Sequence, residues 1–252
     1  MKRQPAKYAD LSGKRVFVTG GATGIGASVV AGFAEQDALV TFFDNNEAAG
    51  RALAETLGGG VRYQALDLTD LAAIKPLFQR LIETAGGVDV LVNGAANDTR
   101  HATQDVTPES WRKTLAVNLD HQFFCAQAIL PTMRHTKSGV ILNFGSLAWH
   151  VGLEDAVGYV TSKAGIEGIT HALAREAGPD GIRVNCLLPG FVHTERQDEL
   201  WLTPELRDAV MRNQCLARFN TPEDIADVAL FLCSDVSRAI TNQTILADAG
   251  WR

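Results

Sequence analysis

Short apolar runs alternate with stretches of helical periodicity along almost the whole chain. A β-branched run from Arg15 to Thr19 leads into Gly20-Gly21-Ala22-Thr23-Gly24-Ile25-Gly26, and apolar residues then recur at helical spacing through Val29, Val30, Phe33 and Ala34. A second apolar run, Ala38 to Phe43, ends at Asp44. The pattern then predicts a helix from Asn46 to Leu57, a strand from Val61 to Ala65, a helix from Leu71 to Ala85, and a strand from Val88 to Val92 ending at Asn93. Thr107-Pro108-Glu109 opens a further helix with a capping threonine and a first-turn proline. It runs towards Asn118, and a longer helix carries Phe123, Phe124, Ala128 and Ile129 before Pro131. A strand from Val140 to Phe144 precedes a helix over 157 to 178, and a strand from Ile182 to Leu188 is followed by Pro189-Gly190. Residues 191 to 220 form a longer, more polar excursion containing Trp201, placed to serve as a substrate lid. Thr221-Pro222-Glu223-Asp224 caps a last helix, and Thr244 to Ala247 makes a last strand. Such alternation predicts an α/β fold with a doubly wound parallel sheet of about seven strands, its ligands lying outside the carboxyl ends of the strands.

Composition narrows the class. At 252 residues, with 46% hydrophobic and 21% charged residues, the chain reads as one globular domain over 1–252. A net charge of −6 argues against nucleic acid or an anionic membrane surface as partner. Cys125, Cys186, Cys215 and Cys233 have no metal-ligand or redox spacing and read as buried, reduced core residues. Lys2, Arg3 and Lys7 are followed by no apolar stretch of the kind a secretory signal carries, and no run approaches the roughly 18 apolar residues of a membrane helix, so a cytoplasmic location is expected. His101, His150 and the nearby acids match no common zinc spacing, and no metal is expected.

The candidate chemistry sits at the strand ends. A strand, a glycine loop and a helix N-terminus together form an anion site of the Rossmann type, in which free N–H groups face a pyrophosphate. Asp44 lies about twenty residues further on, where a carboxylate binds ribose hydroxyls and repels a 2′-phosphate. A helix cap is the alternative for Asp44. No basic residue stands beside the loop or just after Asp44, so NAD is expected rather than NADP. Asp67 is placed to meet the adenine ring. Tyr159 and Lys163 are four residues apart, within mutual reach on one helix face. An ammonium beside a phenol favours the phenolate, giving a base that can take a proton from an alcohol. Ser146, at the exit of the Val140 to Phe144 strand, could bond the same substrate oxygen. A structural Tyr/Lys pair is the bland alternative.

Taken together these motifs resemble the short-chain dehydrogenase/reductase family over nearly the whole chain. Thr19-Gly20-x-x-x-Gly24-Ile25-Gly26, Leu91-Val92-Asn93-Gly94-Ala95-Ala96, Asn118, Ser146, Tyr159-x-x-x-Lys163 and Pro189-Gly190 with Thr194 stand in that family's order and spacing. The resemblance implies a catalytic tetrad of Asn118, Ser146, Tyr159 and Lys163. Tyr159 would be acid and base, Ser146 would orient the substrate oxygen, Lys163 would lower the tyrosine pKa and hold the ribose, and Asn118 would position a relay water. It also implies cofactor contacts from Gly20, Thr23, Gly24, Ile25, Gly26, Asp44, Asp67, Leu68, Asn93, Gly94, Ala95, Tyr159, Lys163, Pro189, Gly190, Val192 and Thr194. A homotetramer or dimer built on the long central helices is a further implication. The chain departs from the family pattern at Gly94 and Ala96, at Gly145 where serine is frequent, and at Asn242 and Ala249, positions often held by glycine.

A narrower likeness connects Asn97 to His101, Ser146 to Asp155, Thr194 to Gln197, Trp201 to Glu205 and the ending Asp248 to Arg252 with bacterial NAD-dependent aldose 1-dehydrogenases of the D-xylose type. The residue types agree with a sugar. Loops after three strands carry Asp98, His101, Trp149, His150, Glu154, Asp155, Gln197 and Trp201, and hydrogen-bonding groups beside indoles suit a polyhydroxylated ring. The expected substrate contacts are Asp98, His101, Ser146, Trp149, His150, Glu154, Tyr159, Gln197 and Trp201. The two histidines could instead lie at the surface or behind the site, Trp201 could pin the lid, and Glu154 or Asp155 could cap the next helix. The expected reaction is oxidation of an aldose C1 hydroxyl to the aldonolactone. A sugar acid or polyol, with Arg100 or Arg196 meeting a carboxylate, is the nearest alternative, and an idle NAD-binding sensor the remoter one.

Overall fold

The computed structural model describes residues 5–252; Lys2 and Arg3, which bear on the expected lack of a leader, lie outside the described residues. Seven strands form one parallel sheet in the order β3-β2-β1-β4-β5-β6-β7. They are β1 (Arg15–Thr19), β2 (Leu39–Asp44), β3 (Val61–Ala65), β4 (Val90–Asn93), β5 (Gly139–Phe144), β6 (Ile182–Pro189) and β7 (Thr244–Ala247). The helices are α1 (Gly24–Glu35), α2 (Glu47–Leu57), α3 (Leu71–Ala85), α4 (Pro108–Leu115), α5 (His121–Thr136), α6 (Ala148–Val151), α7 (Val157–Ala177), α8 (Glu195–Leu200), α9 (Pro204–Asn213) and α10 (Pro222–Cys233).

Side-chain alternation along the strands divides the interior into two cores. Val16, Val18, Val40, Phe42, Val90, Val92, Val140 and Leu142 face α1 and α10, packing with Val29, Val30, Phe33, Ile225 and Leu230. Phe17, Phe43, Leu91, Ile141 and Val184 point to the other face, against α3, α5 and α7. A strand flanked by helices on both sides must be apolar on both sides, which is why these strands read as continuous runs. Phe17, Phe43 and Phe78 meet there in two edge contacts of 5.3 Å and one stacked contact of 4.6 Å. The chain reverses direction between β1 and β4, so a crevice opens at their carboxyl ends, where ligands of such sheets bind.

Several boundaries depart from expectation. The long helix α5 does not stop before Pro131 but runs on to Thr136. Pro131 is exposed, and the Gln127 carbonyl it leaves unpaired can turn to water, so the break expected of an interior proline is averted. Residues 191–220 are not irregular: they hold α8 and α9, capped by Thr194 and Thr203. Ala156, with no side-chain cap, precedes α7, so neither Glu154 nor Asp155 caps it. Cys125, Cys186 and Cys233 are buried thiols, whereas Cys215 is exposed, contrary to the reading of all four as core residues. Among the described residues no helix is long and apolar enough to cross a membrane, and no cluster of His, Cys, Asp and Glu is arranged to hold a metal.

Asn242 and Ala249, which stand where glycine is frequent, both adopt left-handed backbone, with φ of 61° and 57°. The backbone demand that selects glycine therefore persists, and alanine meets it at a strain of about 1 kcal/mol. Ala249→Gly is expected to raise stability by about 0.5 kcal/mol once glycine's unfolded-state freedom is subtracted. Denaturant unfolding checks this, and an unchanged or lower midpoint would contradict it.

Candidate active site

The glycine loop joins β1 to α1 at the reversal of strand order. Gly20 has φ of 70°, and a Cβ there would run into the backbone of Ala95; a Cβ on Gly26 would strike the Gly20 carbonyl. Gly24 also has positive φ, 54°, and its open face meets a methyl of Thr194 at 3.7 Å. The loop thus needs glycine for its path and leaves the N-terminus of α1 bare, since Thr23 makes no side-chain cap. Asp44 ends β2 with Oδ2 accepting from Ala22 N at 3.0 Å and Oδ1 from Asn46 N at 2.9 Å. It is a brace between the loop and α2, while Asn46 is the helix cap. Asp67 accepts twice from Thr69 through Oδ1. This cradle, with bare N–H groups at one end and a carboxylate at the other, fits a dinucleotide.

Leu68, Ala95, Pro189 and Val192 are buried around the cradle, and Ile25 packs against the core. Gly94 and Ala95 donate to the Thr19 hydroxyl, and a Cβ on Gly94 would press on the Thr19 carbonyl, so the departure from the family's asparagine suits the close approach of β1 and β4. At Gly145, where serine is frequent, a Cβ would crowd Leu188 and Cys186. Gly190 lies against the backbone of Asp248. Asn93, an expected cofactor contact, turns its side chain inward. It is fully buried, and its amide donates to Asn143 Oδ1 at 2.9 Å and to the Gln122 carbonyl at 3.1 Å. Asn143 in turn donates to Thr170, and Gln122 to the Phe144 carbonyl. This network, whose members are too far apart in the chain for spacing to reveal it, locks β4, β5, α5 and α7 together beneath the reacting groups.

Tyr159 and Lys163 lie on successive turns of α7, with Lys163 Nζ 5.5 Å from the tyrosine ring centre. Nζ donates to the Phe144 carbonyl at 2.9 Å. Ser146, just beyond β5, stands beside the tyrosine oxygen, its Oγ accepting from Ala148 N at 3.1 Å. Burial pushes the Tyr159 hydroxyl up to about 12; the Ser146 hydroxyl pulls against this and the charge of Asp98 adds to it. The expected lowering of the phenol by Lys163 is thus not seen here, because the ammonium is turned to a carbonyl and burial brings Lys163 itself down to about 8. His121 is also fully buried, and burial reinforced by the nearby Lys163 charge takes it down to about 3, leaving it an uncharged neighbour.

Asn118 sits in a wide π-turn, Ala116–Asp120, between α4 and α5, a distortion common at functional sites. Its side chain is buried and fully engaged: Oδ1 accepts from Asn97 N at 2.8 Å, and Nδ2 donates to the carbonyls of Asn97 and Thr114. Both amide hydrogens are used, so water at this position would have to meet backbone.

The three loops expected to converge do so. His101 N donates to the Asp155 carbonyl, joining the β4 loop to the β5 loop, and Arg196 on α8 binds Asp98 at 3.0 Å, joining the β4 loop to the lid. His101, Asp155, Trp111 and Tyr159 line one small cavity. Gln197 donates to Asp98, and Trp201 lies under Arg100, whose guanidinium is 4.2 Å from the indole. Trp149 and His150 are differently placed from expectation. The Trp149 indole N–H donates to Glu167 on α7 at 2.7 Å; His150 Nε2 is 3.4 Å from the same carboxylate but makes no hydrogen bond. Glu154 is exposed. Phe219 packs on Phe191 and His193, anchoring the far end of the lid.

A family model described as enoyl-(acyl carrier protein) reductase matches residues 20–252. A D-xylose 1-dehydrogenase of Caulobacter vibrioides (strain NA1000 / CB15N) is 49% identical, covering 98% of this chain and 99% of its own length. This chain belongs to the short-chain dehydrogenase/reductase family. A probable galactose dehydrogenase of Rhizobium meliloti (strain 1021) is 42% identical over 97% of both chains. A solved structure from Sinorhizobium meliloti 1021, described as a short-chain alcohol dehydrogenase, is 36% identical with a TM-score of 0.90, covering 97% of this chain and 98% of its own. The protein is accordingly an oxidoreductase of this family that acts on CH–OH groups with a nicotinamide cofactor.

Proposed function

We propose that this enzyme is an NAD-dependent aldose 1-dehydrogenase, oxidising the C1 hydroxyl of D-xylose or a related pentose or hexose to the aldonolactone. The observation that carries the reading is the mouth of the cleft. Three loops join there through Asp98, His101 and Arg196, and Gln197 and Trp201 stand beside them, giving hydrogen-bonding groups and an indole in place of the apolar wall an acyl chain would need. The full-length relatives named for D-xylose and galactose support it. Asp44, with no cation beside it, supports NAD over NADP.

The bound oxidised nicotinamide supplies the hydride acceptor. Tyr159 takes the proton of the C1 hydroxyl as the C1 hydrogen leaves, and Ser146 holds the same oxygen by a hydrogen bond. Lys163 keeps a positive charge beside the phenol and, with Asn118 and its turn, provides the way out for the proton. The protein's contribution is the position of the substrate oxygen against the Tyr159 phenol. We also propose a cytoplasmic enzyme and a homotetramer built on α5 and α7. Phe123 and Val157 leave apolar surface exposed on these helices, and Gly168 adds an open small-residue face.

A panel of free aldoses, D-xylose, L-arabinose, D-galactose, D-glucose and L-fucose, assayed with NAD beside sugar acids and polyols, tests the substrate class. One or more aldoses should turn over. Turnover confined to sugar acids or polyols would move the reacting carbon away from C1.

A further inference from the structure

Asp98 stands between the reacting pair and the lid. Its Oδ1 accepts from Nε and Nη2 of Arg196 at 3.0 Å each, and its Oδ2 accepts from Gln197 Nε2 at 3.2 Å. An ionised carboxylate offers about four acceptor sites, so one on Oδ2 remains for a ligand. The two halves of the ion pair are not placed alike. Asp98 is 22% exposed and its charge is felt by both Tyr159 and Lys163, whereas Arg196 is 51% exposed and is the half turned to solvent. The other cation of this wall, Arg100, is laid over Trp201 at 4.2 Å. Arg100 Nε and Trp201 Nε1 are buried without a partner, so this wall holds unused donors beside an unused acceptor. Unused donors and acceptors in a buried wall are what a ligand rich in hydroxyls satisfies.

Resting on the aldose reading above, we infer that Asp98 is a specificity-determining residue that accepts a hydroxyl of a neutral sugar and turns away the corresponding sugar acid. Arg196 fixes the carboxylate and partly offsets its charge from the solvent side. A sugar carboxylate seated beside the reacting pair faces the inner, negative half of the pair, and like charges at such range disfavour binding. Arg100, stacked on the indole, is the same in every variant at Asp98 or Arg196, so its charge drops out of a comparison between them.

The test is a charge ladder. D-galactose and D-galacturonate differ only at C6, and the affinity of each is read as KM where it is oxidised or as an inhibition constant against D-xylose oxidation where it is not. The wild type should bind galactose better than galacturonate. In Asp98→Asn the galacturonate-to-galactose affinity ratio should rise by about tenfold, and in Arg196→Gln it should fall by about threefold. The double variant, restoring the sum of charges, should return within about twofold of the wild type. Loosening of the lid alone would weaken both sugars together and leave the ratio flat, which overturns the inference. So does a wild type that binds galacturonate as well as galactose. NADH binding in each variant reports folding, and Arg196→Gln reads the ladder with Asp98 intact if Asp98→Asn does not fold. A wild type that oxidises no free aldose defeats the aldose reading itself; a flat ladder in an enzyme that does oxidise aldoses defeats this inference alone.

Discussion

Tyr159→Phe is expected to lower kcat for aldose oxidation by about three orders of magnitude while NADH binding stays within about twofold. The substitution removes one oxygen and keeps the ring that lies 5.5 Å from Lys163, so the packing of α7 against the strand ends should survive. What is lost is the hydroxyl beside Ser146 that is proposed to take the proton. In the wild type, oxidation should accelerate with rising pH, because the phenol is held up to about 12 and the active form is the phenolate. Lys163, brought down to about 8, titrates well below the phenol, so loss of its charge should appear as a separate step on that rise. The reverse reaction, which needs the protonated phenol, should not share that rise. Steady-state kinetics with NADH fluorescence titration check this, and near-normal turnover in the variant would sink the assignment of Tyr159 as the base.

The second large effect concerns cofactor choice. Asp44→Ala is expected to shift the ratio of kcat/KM for NAD over that for NADP by about a hundredfold towards NADP. The wild-type carboxylate both attracts the ribose hydroxyls and repels a 2′-phosphate, so removing it weakens one cofactor and relieves the other. Asp44 also braces Ala22 and Asn46, at 3.0 and 2.9 Å, and losing those bonds will loosen the loop for either cofactor. The ratio cancels that shared loss. An unchanged ratio would place the discrimination elsewhere on the loop.

How much of this was legible in the sequence follows from the range of each interaction. Strand and helix identities come from local periodicity, and the strand runs are apolar on both faces, so all seven strands could be placed to within about two residues. The pairs four residues apart, and the glycines whose path admits no Cβ, are equally local. Asn93 was read as a cofactor contact because it stands at a strand end; its side chain turns inward to Asn143 and Gln122, partners 50 and 29 residues away. Trp149 and His150 were read into the cleft by the same logic, and spacing did not report that Glu167, a carboxylate on the next helix, takes the Trp149 indole N–H and lies 3.4 Å from His150 Nε2. Pro131 misled because a helix break depends on whether the freed carbonyl can reach water, which spacing does not report. Lys163 was expected to lower the phenol at this site, yet its direction depends on the Phe144 carbonyl, again a tertiary partner.

The central claim is that Tyr159 and a nicotinamide act on C1 of a free aldose. D-xylose carrying deuterium at C1 tests it most directly, with NAD as acceptor and the reduced cofactor isolated. The account predicts a slower rate for the labelled sugar and deuterium carried into the nicotinamide ring, with transfer about three orders of magnitude slower in Tyr159→Phe. Reduced cofactor formed without deuterium, and at an unchanged rate, would show that another carbon reacts.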